Sequence, residues 1–595
     1  MPYLRCFLLC LIATFFRGYA QERPDLIVTG AGIAGLSAAL EGARAGLKVT
    51  VIEQNSVFGG HAVISSGGLS LVGTPLQERM KIADSPELAE RDFRTWGEDP
   101  NEDWVRYYSH NSRTGVHDWL AALGVEFVGV SQGSAGNSVP RFHGPRNQGL
   151  GLVLPLYREL LRLGCVTFLW NTRVVGLLSE NGRVTGVSLL QLRTGVKSRL
   201  EGGTVLLSTG GFAMDLDLVR ATWPRSMRVP ERVLVGGGFF ATGSGMDLSK
   251  AAGGAASRLD HQWNYASGLP DPFDPDGKRG FFTMASGAIW VNTEGKRFVL
   301  EQHEPKSTVP VVAAQPGGHF WAIFDSAGRM GFRVVHSGFT LERVEELFEV
   351  PGFIRSAGTL DELARETGLP PATLTATVER YNRMVEAGED SDFGRFGPNV
   401  RSPEFTPPPR KIAQPPFYAA PMYILVRKSM GGITVDAACR VLNNAGKPVP
   451  GLLAAGEATG FGGINGKSGL EGTFLGPSIL MGRVAAQTVV AERKPAPPAP
   501  SIAVLRTTPP AVNPAQAAAC KSCHNLPAMI AQGRPGYWHF EQVHRLVASR
   551  DLNCTGCHAE MAPFRADSHR IDPQLQTSIC QHCHVNPPRP NRRPR

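Results

Sequence analysis

The sequence predicts an α/β fold, with a Rossmann-like nucleotide-binding domain that is interrupted by an α+β insertion and followed by a small C-terminal domain. A glycine-rich turn joins the apolar run 25–29 to an Ala/Leu-rich helical pattern, as in a nucleotide-binding βαβ unit. From about residue 260, loops, short strands and helices replace that pattern. Three Cys-x-x-Cys-His motifs lie within residues 520–584. With 595 residues, 42% of them hydrophobic, the chain has enough material for several domains.

The glycine-rich turn has the spacing of a dinucleotide site. In such a turn Gly30 makes the bend, Gly32 lets backbone N–H groups approach a pyrophosphate, and Gly35 packs the helix against the strand. A second apolar run, residues 48–52, ends at a carboxylate placed to hold ribose hydroxyls. The predicted contacts are Gly30, Ala31, Gly32, Gly35 and Glu53.

A second loop of small residues follows Glu53, and it indicates which dinucleotide is bound. Nicotinamide enzymes do not need such a loop there, whereas an isoalloxazine ring does. The loop contains Gly60, His61, Ala62, Gly67 and Gly68. This stretch resembles the flavoproteins of the succinate dehydrogenase/fumarate reductase family, which also includes soluble flavocytochromes and 3-ketosteroid Δ1-dehydrogenases. The resemblance implies FAD, with the loop against the flavin.

The resemblance also implies further cofactor contacts. His61 lies six residues before Gly67, as does the histidine that carries covalent flavin in succinate dehydrogenases, so a covalent bond and an unlinked polar contact both remain open. Val174 is expected near the adenine, and Glu457 on ribityl or ribose hydroxyls. The other expected contacts are Gly210, Gly472, Thr473 and Phe474.

Composition and motifs divide the chain into six segments. The predicted order is a signal peptide 1–20, the N-terminal portion of the FAD-binding domain 21–260, an inserted α+β cap domain 261–424, the C-terminal portion of the FAD-binding domain 425–493, a Pro/Ala-rich linker 494–516, and a haem-packed domain 517–595.

The first twenty residues have the pattern of a secretory signal peptide. Arg5 precedes an apolar core, residues 6–16, that is too short to span a bilayer, and Gly18-Tyr19-Ala20 is a small-residue cleavage site. We therefore expect an exported, soluble, periplasmic protein with no transmembrane span after cleavage. The formal charge of +9 suits an anionic partner, but no arginine-rich run with interleaved aromatics is present, so nucleic acid is not an expected partner.

The Cys-x-x-Cys-His motifs predict three c-type haems. Each cysteine pair can form thioethers to one haem, and the adjoining histidine is an axial ligand. The pairs are Cys520 and Cys523, Cys554 and Cys557, Cys580 and Cys583, followed by His524, His558 and His584. The candidate distal ligands are His539, His544 and His569, with His582 as a fourth. Zinc binding by the cysteine pairs is the competing interpretation.

The haem segment resembles small multihaem modules attached to periplasmic flavoprotein reductases, although there the module sits at the other end of the chain. This resemblance implies electron exchange with a membrane quinol dehydrogenase or a soluble cytochrome.

The active-site motifs depart from those of fumarate reductases. Residues 287–298 match the cap hairpin that precedes their catalytic arginine, but that position is Pro305 here, and the substrate-carboxylate arginine falls at Gly469. A dicarboxylate would lose bidentate contacts. Gly472 is kept, and we expect it at a helix start where a backbone N–H could hold a ketone oxygen, as in ketosteroid dehydrogenases; their companion tyrosine is Ser468 here.

The sequence therefore predicts an FAD-dependent oxidoreductase acting on CH–CH groups, with an enone or ketone favoured over a dicarboxylate. The candidates for proton transfer are His303, Tyr265 and Lys428, the last beside Arg427. The alternative is an electron-transfer protein whose FAD domain has lost substrate chemistry.

Overall fold

The computed structural model describes residues 23–493 and Pro527, apart from Ser56, 193–194, Phe239, Phe273, Pro275, Ser286, 302–303, 336–340 and 397–408. The predicted signal peptide, the linker and, apart from Pro527, the haem segment lie outside the described residues, as do all the predicted haem cysteines and histidines and His303.

The described strands are β1 Leu26–Thr29, β2 Val49–Ile52, β3 Leu69–Ser70, β4 Phe127–Ser131, β5 Phe142–Pro145, β6 Val166–Leu169, β7 Thr172–Glu180, β8 Arg183–Gln191, β9 Lys197–Glu201, β10 Thr204–Leu207, β11 Val233–Val235, β12 Ala256–Ser257, β13 Gln262–Pro270, β14 Gly280–Ala285, β15 Ile289–Val291, β16 His319–Asp325, β17 Phe332–Val334, β18 Arg355–Ala357, β19 Phe417–Ser429, β20 Gly432–Ile433, β21 Arg440–Leu442 and β22 Pro448–Ala454.

The described α-helices are α1 Ile33–Arg44, α2 Pro75–Arg79, α3 Pro86–Gly97, α4 Glu102–Asn111, α5 Trp119–Ala121, α6 Gln148–Leu163, α7 Leu216–Ala221, α8 Ser244–Ala251, α9 Pro305–Ala314, α10 Ser326–Arg329, α11 Leu341–Phe348, α12 Leu360–Thr367, α13 Pro371–Ala387 and α14 Leu475–Glu492. A π-helical stretch, Ser112–Asp118, joins α4 to α5. None of the helices in the described ranges is both long and apolar enough to cross a bilayer.

A six-stranded sheet organises the nucleotide-binding half, in the order β21–β22–β10–β1–β2–β6. β1 is fully buried and pairs in parallel with β2 on one side and β10 on the other. The strand order therefore reverses at β1, because the next strand, β2, lies on one side of it and the later strand β10 lies on the other. Such a reversal creates a crevice at the carboxyl ends of these strands. Helices α1 and α14 pack against each other beside this sheet.

The structure corrects one predicted strand. The apolar runs 165–169, 174–178 and 184–190, with turn residues between them, predict a small antiparallel sheet. The first of these runs forms β6, which instead pairs in parallel with β2 in the large sheet. The small sheet consists of β7, β8 and β9. Its first hairpin turns at Asn181 and Gly182, which both have positive φ, as a tight two-residue turn requires.

The cap is built on an eight-stranded sheet in which β19 is the long central strand. β13, β16, β18 and β11 all pair with β19, and β11 comes from before residue 260. The expected boundary between residues 424 and 425 falls inside β19, which runs on to Ser429. This continuity matters for function, because the end of the strand brings Arg427 and Lys428 from the cap sheet to the nucleotide-binding half.

Two predicted helices have different bounds. The sequence pattern over 360–387 predicts one helix, but the structure has two, because Gly368 adopts a left-handed conformation after α12 and Pro370 precedes α13. The helix expected from Gly472 begins at Leu475.

Candidate active site

A cavity of about 450 Å³ opens at the carboxyl ends of β1, β2 and β10 and extends under the cap. Most of the predicted cofactor and catalytic residues line it: Gly30, Gly32, Glu53, Gly60, His61, Ala62, Gly67, Gly68, Val174, Gly210, Tyr265, Lys428, Glu457, Gly472 and Phe474. Ala31, Gly35 and Thr473 are not among the lining residues. The Thr473 hydroxyl instead donates to the carbonyl of Leu470 and to the side chain of Asn465.

The glycine turn suits a pyrophosphate. Gly32 precedes α1, the first turn of that helix has no acidic residue, and no side chain caps it. A Cβ added to Gly32 would meet no atom of the chain within 4 Å, whereas one on Gly35 would overlap the carbonyl oxygen of Gly30. Gly32 therefore faces open space at a helix N-terminus, where an anion is stabilised, while Gly35 permits close packing.

The cavity residues that follow β2 suit a ribose and a further polar group of a bound dinucleotide. Glu53 accepts hydrogen bonds from the N–H groups of Ala31 and Asn55, both at 2.7 Å, and burial raises the pKa of its carboxyl. A carboxylate has further lone pairs for ribose hydroxyls. Thr209 also lines the cavity, and its buried hydroxyl has no hydrogen-bond partner among the described residues, as expected where a polar ligand completes the site.

His61, in the loop of small residues that follows Glu53, lies close to Glu457. The Nδ1 of His61 is 4.0 Å from the Glu457 carboxylate, which accepts a hydrogen bond from the Ser429 N–H at 3.2 Å. Burial lowers the pKa of His61, and the positive charges of Arg427 and Lys428 lower it further, against the opposing effect of Glu457. A neutral imidazole is therefore expected at neutral pH.

A polar cluster of Tyr265, Lys428 and Glu471 lies on the cap side. The Tyr265 hydroxyl donates to Glu471, the Lys428 ammonium donates to Tyr265 at 3.2 Å, and it lies 3.7 Å from Glu471. Burial lowers the pKa of Lys428 to about 8, so it is still charged at neutral pH. Burial alone would raise the pKa of Glu471, but Lys428, the hydrogen bonds and Arg427 lower it. The cluster is therefore an ion pair with a tyrosine held between its charges.

Arg427 differs from its neighbour because it is not paired. Its side chain lines the cavity and is only 6% exposed, and its Nε is buried without a hydrogen-bond partner among the residues that the structure describes. The ring of Tyr265 lies 5.7 Å from the guanidinium carbon, and the charges of Glu471 and Glu457 act on Arg427 without forming an ion pair with it. Burial lowers its pKa, but an arginine remains charged. Arg427 is thus available to an anionic or carbonyl oxygen.

Glu304 is a cavity residue that the sequence reasoning missed. It precedes α9, and its carboxylate accepts hydrogen bonds from the Ala135 N–H at 2.6 Å and the Ser134 hydroxyl at 3.3 Å. Burial raises its pKa to about 7, and the charge of Glu471 adds to that shift against the Ala135 hydrogen bond. The one signal in the sequence was its position beside Pro305, but an acidic residue before a helix-starting proline reads as an exposed cap.

Aromatic and aliphatic side chains form the rest of the cap-side wall. Phe282, Met284, Trp290 and Val335 of the cap line the cavity, together with Phe142 and Phe240 of the FAD-binding part. Phe142 reaches the cavity because Gly68 has no side chain, since a Cβ there would lie inside the phenyl ring.

Comparison with known proteins identifies the family. A family described as an FAD-binding domain matches residues 25–475, which include the glycine turn, the cap and Gly472. The chain belongs to this FAD-binding family.

Its relatives include two kinds of oxidoreductase. A cytochrome-type fumarate reductase of Shewanella frigidimarina is 31% identical, covering 78% of this chain and 77% of the relative. A KsdD-like steroid dehydrogenase of Mycobacterium tuberculosis is 30% identical, covering 78% and 94%. The solved open conformation of a flavocytochrome c3 fumarate reductase matches with a TM-score of 0.65 at 26% identity, covering 82% of this chain and 81% of that one. The predicted α/β fold of the FAD-binding part and the predicted enzyme class are confirmed, and the protein is an FAD-dependent oxidoreductase acting on CH–CH groups.

This FAD-dependent oxidoreductase has no space for an arginine at position 469. A Cβ on Gly469 would lie 2.6 Å from the ring of Phe474 and 3.2 Å from that of Trp263. Pro305 is the first residue of α9. At position 469, where the family resemblance places the carboxylate-binding arginine, such a side chain would therefore displace the rings of Phe474 and Trp263.

Gly472 lines the cavity, but the expectation that it starts the last helix is wrong. It lies in the turn before α14, with φ of +94°, and its carbonyl accepts a hydrogen bond from the Ser70 N–H at 3.0 Å. A Cβ at this position would overlap the backbone of Ser70, so the turn needs glycine for close packing.

Proposed function

We propose that this protein is an exported flavocytochrome c that reduces or desaturates the carbon–carbon bond beside a carbonyl in an apolar ketone, and exchanges the electrons through three c-type haems. The observation that supports this substrate class is the cap side of the cavity, where an aromatic wall faces one unpaired cation, Arg427.

The charges near the substrate fit one oxygen better than two carboxylates. On the cap side Lys428 is balanced by Glu471, so Arg427 is the unpaired cation there. Arg173, another arginine of the cavity lining, follows Thr172 beside Val174 and donates to Gln54. A dicarboxylate would bring two negative charges to this single site, and its apolar wall would leave one of them unpaired at a cost of several kcal/mol. An enone or saturated ketone brings an apolar body and one polar oxygen.

In this proposal Arg427 holds the carbonyl oxygen, and Lys428 adds positive potential from beside it. Both would stabilise the negative charge that grows on that oxygen when the adjacent carbon–carbon bond reacts. When bound, FAD accepts or supplies the hydride in two-electron steps. Gly32, Glu53 and Thr209 would hold its nucleotide moiety.

The haem component of the proposal rests on the sequence. Three Cys-x-x-Cys-His motifs within residues 520–584 give three haem attachment sites. Together with the predicted signal peptide they support a periplasmic protein that exchanges electrons with a membrane quinol dehydrogenase or a soluble cytochrome.

Anaerobic spectroscopy of the full-length protein tests the proposal. The reduced protein is mixed with a panel of enones, and the oxidised protein with a panel of saturated ketones, while flavin and haem absorbance are followed. We expect at least one compound to change both signals, and fumarate and succinate to change neither at a comparable rate. High turnover with fumarate would refute the substrate class. A response in neither panel would favour the electron-transfer alternative, and a protein without a haem Soret band would refute the flavocytochrome.

A further inference from the structure

The proposed reaction needs a group that gives a proton to, or takes one from, the carbon next to the one that exchanges hydride. In fumarate reductases the resemblance assigns this to an arginine, and Pro305 stands at that position here. The structure brings a different group to the cavity one residue earlier.

We propose that Glu304 is the proton-transfer residue of this enzyme. The inference rests on the proposed function and adds to it the identity of the acid. Glu304 lines the cavity and is fixed by the backbone N–H of Ala135 and the hydroxyl of Ser134. Ala135 contacts Oε1 and Ser134 contacts Oε2, so both oxygens of the carboxyl lie against a loop of the FAD-binding half and the group is positioned rather than free to rotate.

The surroundings of Glu304 keep the pKa of its carboxyl near neutral pH. The charged and titratable groups around it are Glu471 of the turn before α14, with Tyr265 of β13 and Arg427 and Lys428 of β19 in the same cavity. Glu471 and burial both favour the protonated form, and the pKa of about 7 is the value at which a carboxyl can act as acid or base at neutral pH. Lys306, the next cation along the chain, pairs with Glu98 at 2.6 Å.

The other described candidates are less suited. The Tyr265 hydroxyl is committed to Glu471, and burial followed by the charge of Glu471 raises its pKa well above its usual range. Lys428 is held charged by the same carboxylate. His303 lies outside the described residues, and its role stays a prediction.

Reduction of an enone would then balance in protons and electrons. A hydride from the reduced cofactor forms a C–H bond at the β-carbon, the carbon–carbon π bond breaks, and its electrons move toward the carbonyl oxygen beside Arg427. The α-carbon then takes the proton from the Glu304 carboxylic acid, and the resulting carboxylate recovers a proton from water. In desaturation the Glu304 carboxylate removes the α-proton, and the hydride passes to the oxidised cofactor.

Replacement of Glu304 by glutamine tests this role in the full-length holoprotein, with the substrate found in the spectroscopic screen. Glutamine keeps an oxygen that can accept the Ala135 N–H, but it has no proton to transfer. We expect Glu304→Gln to lower kcat by about 10²–10⁴-fold. In the wild type, kcat/KM should change near pH 7, falling with rising pH for reduction and rising for desaturation. This change should be absent in Glu304→Gln. Glu98→Gln, which alters only the exposed partner of Lys306, should keep the wild-type rate and profile.

Two further measurements separate this role from a structural one. Glu304→Asp keeps the acid, so it should retain this pH dependence at a reduced rate, even if Glu304→Gln fails to bind FAD. Infrared difference spectra should show a carboxylic acid band that titrates near pH 7 in the wild type and is missing in Glu304→Gln, and this readout needs no substrate. If the turnover of Glu304→Gln is within about threefold of the wild-type value and its pH dependence is unchanged, the proposal is overturned. A wild type that reacts with none of the ketones would instead refute the proposed function.

Discussion

Two arginines buried in the same molecule have opposite surroundings. Arg141 is fully buried, and its guanidinium donates to both oxygens of Asp84 and, at 2.6 Å, to Asp92. Arg427 is 6% exposed and has no carboxylate partner among the described residues. The first cation is neutralised by the protein, whereas the second is left for a ligand.

This difference separates scaffold from site. Breaking a buried ion pair leaves an uncompensated charge, so the Arg141 pairs hold their loop in one arrangement. A buried cation without a partner reduces stability, and such costs are concentrated at functional sites. Residues 140–143 contribute both to the scaffold and to the site, because Arg141 anchors the segment and Phe142 lines the cavity.

The largest expected effect comes from removing the paired cation. Arg141→Met should lower the free energy of unfolding by about 3–5 kcal/mol, because Asp84 and Asp92 would stay buried without a counter-charge. Urea unfolding of the full chain, followed by circular dichroism, measures it. Arg146→Met is the matched control, since Arg146 and Glu126 form an exposed pair, and its effect should stay below about 1 kcal/mol. Equal effects in the two variants would remove the distinction.

Removing the unpaired cation should change activity instead. We expect Arg427→Met to lower kcat/KM by about 10²–10³-fold, because a preorganised donor to the substrate oxygen is lost. Its urea midpoint should equal or exceed that of the wild type. Steady-state kinetics and unfolding are measured on the same preparation. A destabilised variant with normal turnover would mean that Arg427 belongs to the scaffold.

The contrast between these arginines could not be predicted from the sequence. The motif spacing was sufficient to predict the nucleotide-binding βαβ unit and the positions of its glycines, because their geometry is determined by residues close together in the chain. The ion pairs of Arg141 with Asp84 and Asp92 join residues about fifty positions apart, and the cavity side of Arg427 depends on how β19 packs between two halves of the molecule.

The same limit applies to Glu304. Its local sequence predicts an exposed residue before a helix, and only the packing of that position against the Ser134–Ala135 loop makes it a partly buried acid. The haem segment is the reverse case, since its motifs are specific in sequence and their cysteines and histidines lie outside the described residues.

A third prediction applies the same contrast to two glycines of one turn. Gly32→Ala adds a methyl group where the chain leaves open space, so stability without cofactor should change by less than about 1 kcal/mol. FAD affinity should fall about tenfold or more, because the methyl group would occupy the space assigned to the pyrophosphate. Gly35→Ala should instead destabilise the protein itself, since its Cβ would overlap the Gly30 carbonyl. FAD titration of the deflavinated proteins, with their melting temperatures, distinguishes the two.

The smallest expected effect is the pH dependence that Glu304 gives to folding. Its pKa is about 7 in the folded protein against the ordinary glutamate value of 4.5, so between these values the folded state holds a proton that the unfolded state has lost. Stability should therefore fall as pH rises from about 4.5 to 7 and level off above, where both states are ionised. Glu304→Gln lacks this contribution, so its melting temperature relative to the wild type should rise by a few degrees across that window. A difference that stays constant with pH would mean that Glu304 is ionised in the folded protein, and would weaken its assignment as the acid.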